Sequence, residues 1–419
     1  MLRNIAVMTC LFFSISSLSQ PVAFPGAEGF GRFAEGGRGG TIYHVTNLDD
    51  SGTGSFRDAV SQPHRTVVFD IGGVIRIRSK INAASYLTIA GQTAPGKGIT
   101  VYGDGISFSG DSNIIVRYIR FRGSREMGRG SCTVSADYAS NTIFDHVSIE
   151  WGRWDNLHIK KSKNITLQYC LIGEGINPQM FGALLESPVR LTIKNCLWIN
   201  NQSRNPKAKA GIEFVNNVVY NWGRNGFVGG HSAADHFQDI TANYFIAGPN
   251  SSGPFIGMFT ATDHVFQRNN MVDLNRNGKL DGRLVTDEDF KETGASILTA
   301  PSNSSSFFVV ESPTDAFRAV LKEAGASLER DAIDKRLVNE VKSLGKEGKI
   351  IRTETEAGGQ DLTRYLPSKR TRDTDQDGIP DWWEKKHGLD PGNAADACMN
   401  TGDGYTNIEI FLNEQVKQK

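Results

Sequence analysis

From about residue 65 to 275 the chain falls into short runs of apolar and β-branched residues, each closed by Gly, Asn, Asp or Ser. Such runs predict β-strands, and no amphipathic helical spacing interrupts them. The runs IIVRYIRF, TIFDHVSI, ITLQYCLI, LTIKNCLWI, IEFVNNVVY, ITANYFIA and VFQRNNMV resemble one another. One apolar-run position from each gives Val116, Phe144, Leu167, Ile193, Phe214, Thr241 and Phe266, separated by 28, 23, 26, 21, 27 and 25 residues. A period near 25 in an all-strand segment predicts a solenoid of stacked coils, a right-handed parallel β-helix. A sandwich or barrel would turn every ~8 to 12 residues. Asn195, Asn216 and Asn243 recur at one relative position, where stacked amides are expected to form a ladder.

The pattern changes at both ends. Residues 1–19 run from one arginine through an apolar stretch to small residues, the form of a signal peptide cleaved after Ser19. The β-helix is expected over 20–305. Residues 306–344 contain helical spacing, from a Thr or Asp cap near Thr314 to Leu344. A polar linker over 345–371 and a small module over 372–419 complete the chain.

Composition adds little chemistry. Forty-six basic residues balance 46 acidic ones, so net charge supports neither a nucleic-acid nor a membrane-surface role, and any hold on a polyanion must be local. No later segment has the ~18 uninterrupted apolar residues of a membrane span. Cys132, Cys170, Cys196 and Cys398 are too scattered for a disulfide scaffold or a zinc site, and buried free thiols suit Cys170 and Cys196. The chain is expected to act as a monomer.

Three segments carry candidate chemistry. DTDQDGIPDWWE places Asp373, Asp375 and Asp377 at positions 1, 3 and 5 of an EF-hand-like calcium loop, with Gly378 at 6, Ile379 at 7, Asp381 at 9 and Glu384 at 12. Hard Ca²⁺ takes six to eight oxygens, which alternate carboxylates and a bidentate glutamate supply. The segment 402–411 looks like a degenerate second half of that module. DLNRNGKLDGRL offers Asp273, Asn275, Asn277, the Lys279 carbonyl and Asp281 in the same pattern, but Leu284 stands at position 12. Either a weak calcium site, helped by Asp287, Glu288 or Asp289, or an ordinary Asn-Gly turn fits. SRNPKAKAG puts Arg204, Lys207 and Lys209 on one turn between strands. It suits carboxylate binding, by a guanidinium fork and two point charges, or a solvated surface.

With these residues in view, AFPGAEGFGR, SGTGSFRDAV, GQTAPGKGITVYG, IFDHVSIEWGR, SRNPKAKAG with FVNNVVYNWG, and DTDQDGIPDWWE together resemble the pectate lyases of polysaccharide lyase family 1. The resemblance runs through nearly the whole chain after residue 19. It implies a parallel β-helix, export, Ca²⁺ dependence and eliminative cleavage of polygalacturonate. The base it implies is Arg204, matching the arginine of an Arg-x-Pro-basic turn, with Lys207 and Lys209 binding substrate. The family's Trp-Ile-Asp-His segment appears as Ile143, Phe144, Asp145 and His146, the last two expected in coil hydrogen bonding. The chain departs from the family at Cys132, where many members carry an aspartate ligand for a substrate-bridging Ca²⁺. Asp137, Glu150 and Asp155 are nearby substitutes, with Asp155 first and Glu150 second.

The resemblance implies loss of the C5 proton and of the C4 oxygen, through an enolate-like dianion that needs concentrated positive charge. Two other functions fit a β-helix. Inverting hydrolysis needs two carboxyl groups about 6.5–9.5 Å apart, for which His231 and Asp235 mark the segment to test. A calcium-stabilised polyuronate-binding solenoid needs only the grip of Arg204. Asn164, Asn201, Asn250 and Asn303 begin Asn-x-Ser/Thr sequons.

Overall fold

The computed structural model describes residues 20–417 except 305–307, 360–361, 363–367 and 370. The expected signal peptide lies outside the described residues, among which no helix is long and apolar enough to cross a membrane.

The strands form three sheets along a parallel β-solenoid. The first, of 11 strands, runs from Thr41–Val45 to Ser296–Ile297. The second has eight, from Ile81–Asn82 to Ile256–Gly257, and the third has 11. Each coil contributes to the sheets in turn, so almost every pairing is parallel. The exceptions are antiparallel pairings at the two margins of the third sheet, with Arg283–Leu284 and Ser368–Lys369. Inward side chains such as Val116, Phe144, Leu167, Ile193 and Phe214 stack coil on coil in one dry core.

The register agrees with the sequence spacing from Val116 through Phe144, Leu167 and Ile193 to Phe214. It then continues to Ile240 and Gln267, one residue from the Thr241 and Phe266 of the sequence pattern. The asparagine ladder is displaced in the same way. Tyr118, His146, Tyr169, Asn195, Asn216, Ala242 and Asn269 follow the first-sheet strands, and each turns the chain with a φ between 50° and 57°, in the left-handed region that asparagine tolerates better than most residues other than glycine. The ladder is built by the next residue of each coil. Cys170 N–H donates to Cys196 Sγ, Cys196 N–H to Asn217 Oδ1, and the Asn217 and Asn243 amides to Asn243 and Asn270 Oδ1 at 3.0 and 2.9 Å. Asn195 and Asn216 are therefore bend residues, and only Asn243 of the expected trio is a rung. The four cysteines among the described residues are free thiols, with Cys170 and Cys196 buried in this column.

Two outer faces are covered. The N-terminal segment lies on the first sheet, where Gly31 N–H donates to Thr166 Oγ1 and Phe24 packs by Ile115 and Ile143. A Cβ on Gly31 would stand 2.3 Å from the Thr142 carbonyl oxygen, so this approach needs glycine. The C-terminal helices Asp381–His387 and Asn407–Lys417 pack Ile379, Trp383, Ile408 and Phe411 near Ile42 and Ala90. On the third sheet lie helices Pro313–Glu323 and Ala332–Lys342, capped by Ser312 and Asp331. Their apolar stripes bury Phe317, Val320, Leu337 and Val341 against Leu197, Val218 and Tyr244. The second sheet keeps an outer face of half-buried polar side chains, including His158, Lys160, Glu186, Lys207 and Lys209.

Candidate active site

Along a strand side chains alternate between core and solvent, and along the solenoid each outward position stacks on its counterpart one coil earlier. On the second sheet this register sets Lys160 beside Glu186 and Glu186 beside Lys209, with His158, Leu184 and Lys207 in the adjacent column. Lys160 and Lys209 Nζ lie 3.5 and 3.9 Å from Glu186, and His158 lies 2.9 Å from Asp137. Burial works against the His158 cation, but Asp137, Asp155 and Glu186 together raise its pKa above the ordinary value. Burial lowers the Lys207 ammonium, with the like charges of Lys209 and Arg204 adding to the effect.

Arg204 enters this face from the turn before strand Lys207–Lys209. Buried amides hold the turn: Asn156 Nδ2 donates to Asn201 Oδ1 at 3.0 Å, and Asn201 Nδ2 to Asn205 Oδ1 at 2.9 Å. On the preceding coil Ala183 N–H donates to the Arg204 carbonyl at 2.8 Å, and a Cβ on Gly182 would come within 2.3 Å of that oxygen. The guanidinium lies 4.2 Å over the Phe181 ring. Its Nη1 donates to both oxygens of Asp155 at 3.0 and 3.1 Å, reaching back two coils. Asp155 is fully buried, and burial pushes its carboxyl up to about 6 against the pull of Arg204. Arg204, Lys207 and Lys209 thus share one face with Asp155. Asp137, already a candidate ligand in the sequence, completes it together with Phe181, His158 and Glu186, which were not singled out as members of the site. The signal that finds them is the coil period: Lys160 to Glu186 and Glu186 to Lys209 are steps of 26 and 23 residues.

Glu150 does not belong to this face. It lies on the third sheet, fully buried, with Arg122 Nε donating to it beneath the helix that Asp331 caps. A carboxylate sealed there by a helix cannot reach a substrate-bound cation. Cys132 is buried too, and burial, with Asp155 close by, pushes its thiol up to about 12, so it supplies no ligand charge. Asp145 accepts from Arg117, Gln168 and His146, and His146 stacks between Tyr118 and Tyr169 at 4.4 and 4.9 Å, a bend network within the first sheet. His231 and Asp235 do not form a hydrolase pair. Asp235 lies 2.9 Å from His264, while the His231 backbone donates to Asp263.

In the 273–284 loop, Asn275 and Asn277 Nδ2 both donate to Asp281, at 2.8 and 2.9 Å. Lys279 N–H donates to Asn277 Oδ1, and Leu284 is exposed. Asp287 accepts from Gln267, Glu288 pairs with Lys291, and Asp289 holds Arg283 and Thr286, so none of the three stands in at position 12. In the C-terminal loop Asp373, Asp375 and Asp377 gather, and Glu384 joins Asp377. The Ile379 side chain is in the core. Asp381 departs from its expected place as a ligand. It accepts the Thr374 N–H and hydroxyl at 2.7 and 2.8 Å, leaving Asp396 beside Asp377 and Glu384 instead.

No protein-family model matches the chain. The protein of Aspergillus fumigatus named probable pectate lyase C is 43% identical over 413 residues, 97% of each chain. Its namesake in Aspergillus oryzae is 42% identical over 398 residues, 94% of each chain. Among solved structures, the thermostable pectate lyase PL 47 aligns with a TM-score of 0.53 at 13% identity, covering 73% of this chain and 98% of its own. The major allergen jun a 1 from cedar pollen aligns at 0.51 and 15%, covering 73% and 99%. At such identities the structures speak for the fold alone, which is that of the pectate-lyase class of parallel β-solenoids. The sequence relatives go further: the chain belongs to the pectate lyase C family.

Proposed function

We propose that this protein cleaves polygalacturonate by β-elimination at the open face of the second sheet. The observation that carries this reading is Arg204, presented over Phe181 beside Asp155, with Lys207 and Lys209 on the next strand. Lys207 and Lys209 bind uronate carboxylates as point charges. In this reading Arg204 acts at C5. Once released from Asp155 it either gives its own proton to solvent and, as a neutral guanidine, accepts the C5 proton, or stays a cation and holds the charge that develops as water takes that proton. The electron pair of the C5–H bond becomes the C4–C5 double bond, the C4–O bond breaks, and the departing oxygen takes a proton from solvent. The 4,5-unsaturated end formed in this way absorbs in the ultraviolet.

A bound Ca²⁺ would draw electron density from the uronate carboxylate and so acidify C5. Asp155 fits as its ligand, being a buried carboxylate hydrogen-bonded to Arg204, and Asp137 and Glu186 are acidic groups on the same face. These three do not form a ready-made cluster, so the substrate's own carboxylate would complete the shell. A cation in the 273–284 loop would require the Asn275 and Asn277 amides to turn their oxygens inward and would leave position 12 to water. The substrate is a cell-wall polymer, and residues 1–19 would export the enzyme to it.

Polygalacturonate with Ca²⁺ tests the function: the expected result is rising ultraviolet absorbance in step with new reducing ends. Reducing ends without absorbance would establish hydrolysis, and retention without cleavage would establish a binder. Arg204→Lys, which keeps the charge but not the planar fork, should cut kcat roughly 10²–10³-fold with KM little changed. Near-normal turnover would remove Arg204 from the reaction.

A further inference from the structure

The C-terminal segment contains a carboxylate arrangement that its loop motif does not describe. Asp377, Glu384 and Asp396 are 2%, 0% and 5% exposed. Each offers an oxygen within 4.8 Å of the others, and Asp377 is shared with a second trio, Asp373, Asp375 and Asp377. Both oxygens of Glu384, Oδ2 of Asp377, Oδ1 of Asp396 and Oδ2 of Asp375 have no hydrogen-bond partner although they are buried. Buried, unpaired carboxylates converging on one point are strongly unfavourable unless a cation compensates them. An all-oxygen donor set selects a hard divalent ion, and the carboxylate count favours Ca²⁺ over the more hydrated Mg²⁺.

We infer that this segment binds one Ca²⁺ between Asp373, Asp375, Asp377, Glu384 and Asp396, and that Asp396 rather than Asp381 completes the site. Asp396 comes from the turn Asp396–Cys398, beyond helix Asp381–His387, so the ion ties the continuous loop and helix to a later turn of the chain. Asp381 is already occupied by Thr374 and Arg372. The site also reaches the solenoid. Ile379 packs in the same cluster as Ala90 and Ile42, and the Gln376 carbonyl lies 2.8 Å from His44 Nε2. The bound ion therefore clamps residues 373–417 onto the first coils. This inference is independent of the lyase reading, because it concerns a separate site whose readout is not cleavage.

The test is equilibrium dialysis of the intact protein against buffered free Ca²⁺, with metal counted per chain by elemental analysis. Asp396→Asn should hold one Ca²⁺ fewer than wild type at a free concentration that fills the wild-type site, and Asp381→Asn should hold the full number. The reverse pattern would restore the simple loop motif and overturn the assignment, as would full occupancy in both variants. Limited proteolysis of the wild-type protein needs no variant: chelation should expose cuts within 373–417 that Ca²⁺ suppresses and the same concentration of Mg²⁺ does not. Equal cutting with and without Ca²⁺ would overturn the clamp, and equal protection by Mg²⁺ would overturn the choice of ion.

Discussion

Gly182 holds Arg204 in place without touching its side chain. The backbone of Arg204 leans so closely on the preceding coil that a Cβ at 182 would stand 2.3 Å from its carbonyl oxygen. Gly182→Ala must therefore push the turn outward, and with it the guanidinium. A displacement of about 1 Å at a reacting group can cost up to ~10²-fold in rate. We expect kcat on polygalacturonate to fall at least about tenfold, with an unaltered circular dichroism spectrum. Unchanged turnover would mean that the turn has slack and does not position Arg204. Arg204 itself was visible in the sequence because its turn is locally basic. Asp155 was named as a candidate ligand, but its contact with Arg204 was not foreseen, nor was Phe181: they are 49 and 23 residues earlier, and only the coil register brings them beneath it. Lys209 stood out as charge, yet nothing local indicated that Glu186 pairs with it.

Elements were legible to the extent that they follow a period. Strand runs and their spacing near 25 residues follow from inward positions that must be apolar in every coil, so the sheets could be anticipated. The bends could not be placed to the residue. Coil lengths vary, and Asn serves both the left-handed bend position and the buried rung beside it, as Asn216 and Asn217 show. The two roles differ in energy. Asn243 accepts from Asn217 N–H and donates to the Phe214 carbonyl and Asn270, so Asn243→Ala strands buried groups on three coils, at about 1–3 kcal/mol for each group left unsatisfied. Asn195→Ala places alanine at a φ of 52° and loses one bond to Glu311, with about 1–2 kcal/mol for the backbone strain. Chemical denaturation should find Asn243→Ala the more damaging by 1 kcal/mol or more, as an order of magnitude. Equal losses would mean that the ladder adds nothing beyond the bend.

At the scale of the whole molecule, coverings decide which sheet face stays open. The N- and C-terminal segments lie on the first sheet and two helices on the third, so the charged face of the second sheet remains open. The third-sheet covering is fixed by a buried charge cluster in which Arg120 and Arg122 face Glu150, Asp331 and Asp334. Burial pushes the Glu150 carboxyl up to about 8, with Asp334 and Asp331 adding to the effect and Arg122 opposing it. An exposed glutamate in the unfolded chain titrates near 4.3. Between these values the folded protein holds a proton that the unfolded chain has lost, so this group's contribution to stability declines as pH rises from about 4.3 to about 8. The decline is up to about 1.4 kcal/mol per pH unit. Glu150→Gln keeps an acceptor for Arg122 and cannot ionise. Its melting temperature relative to wild type should therefore climb from pH 5 to pH 9, passing from equal or lower to higher. Parallel curves would refute the retained proton. Because Glu150 lies beneath the helices and not on the open face, the same variant should keep its cleavage rate on polygalacturonate, whereas loss of that rate would return Glu150 to the reaction.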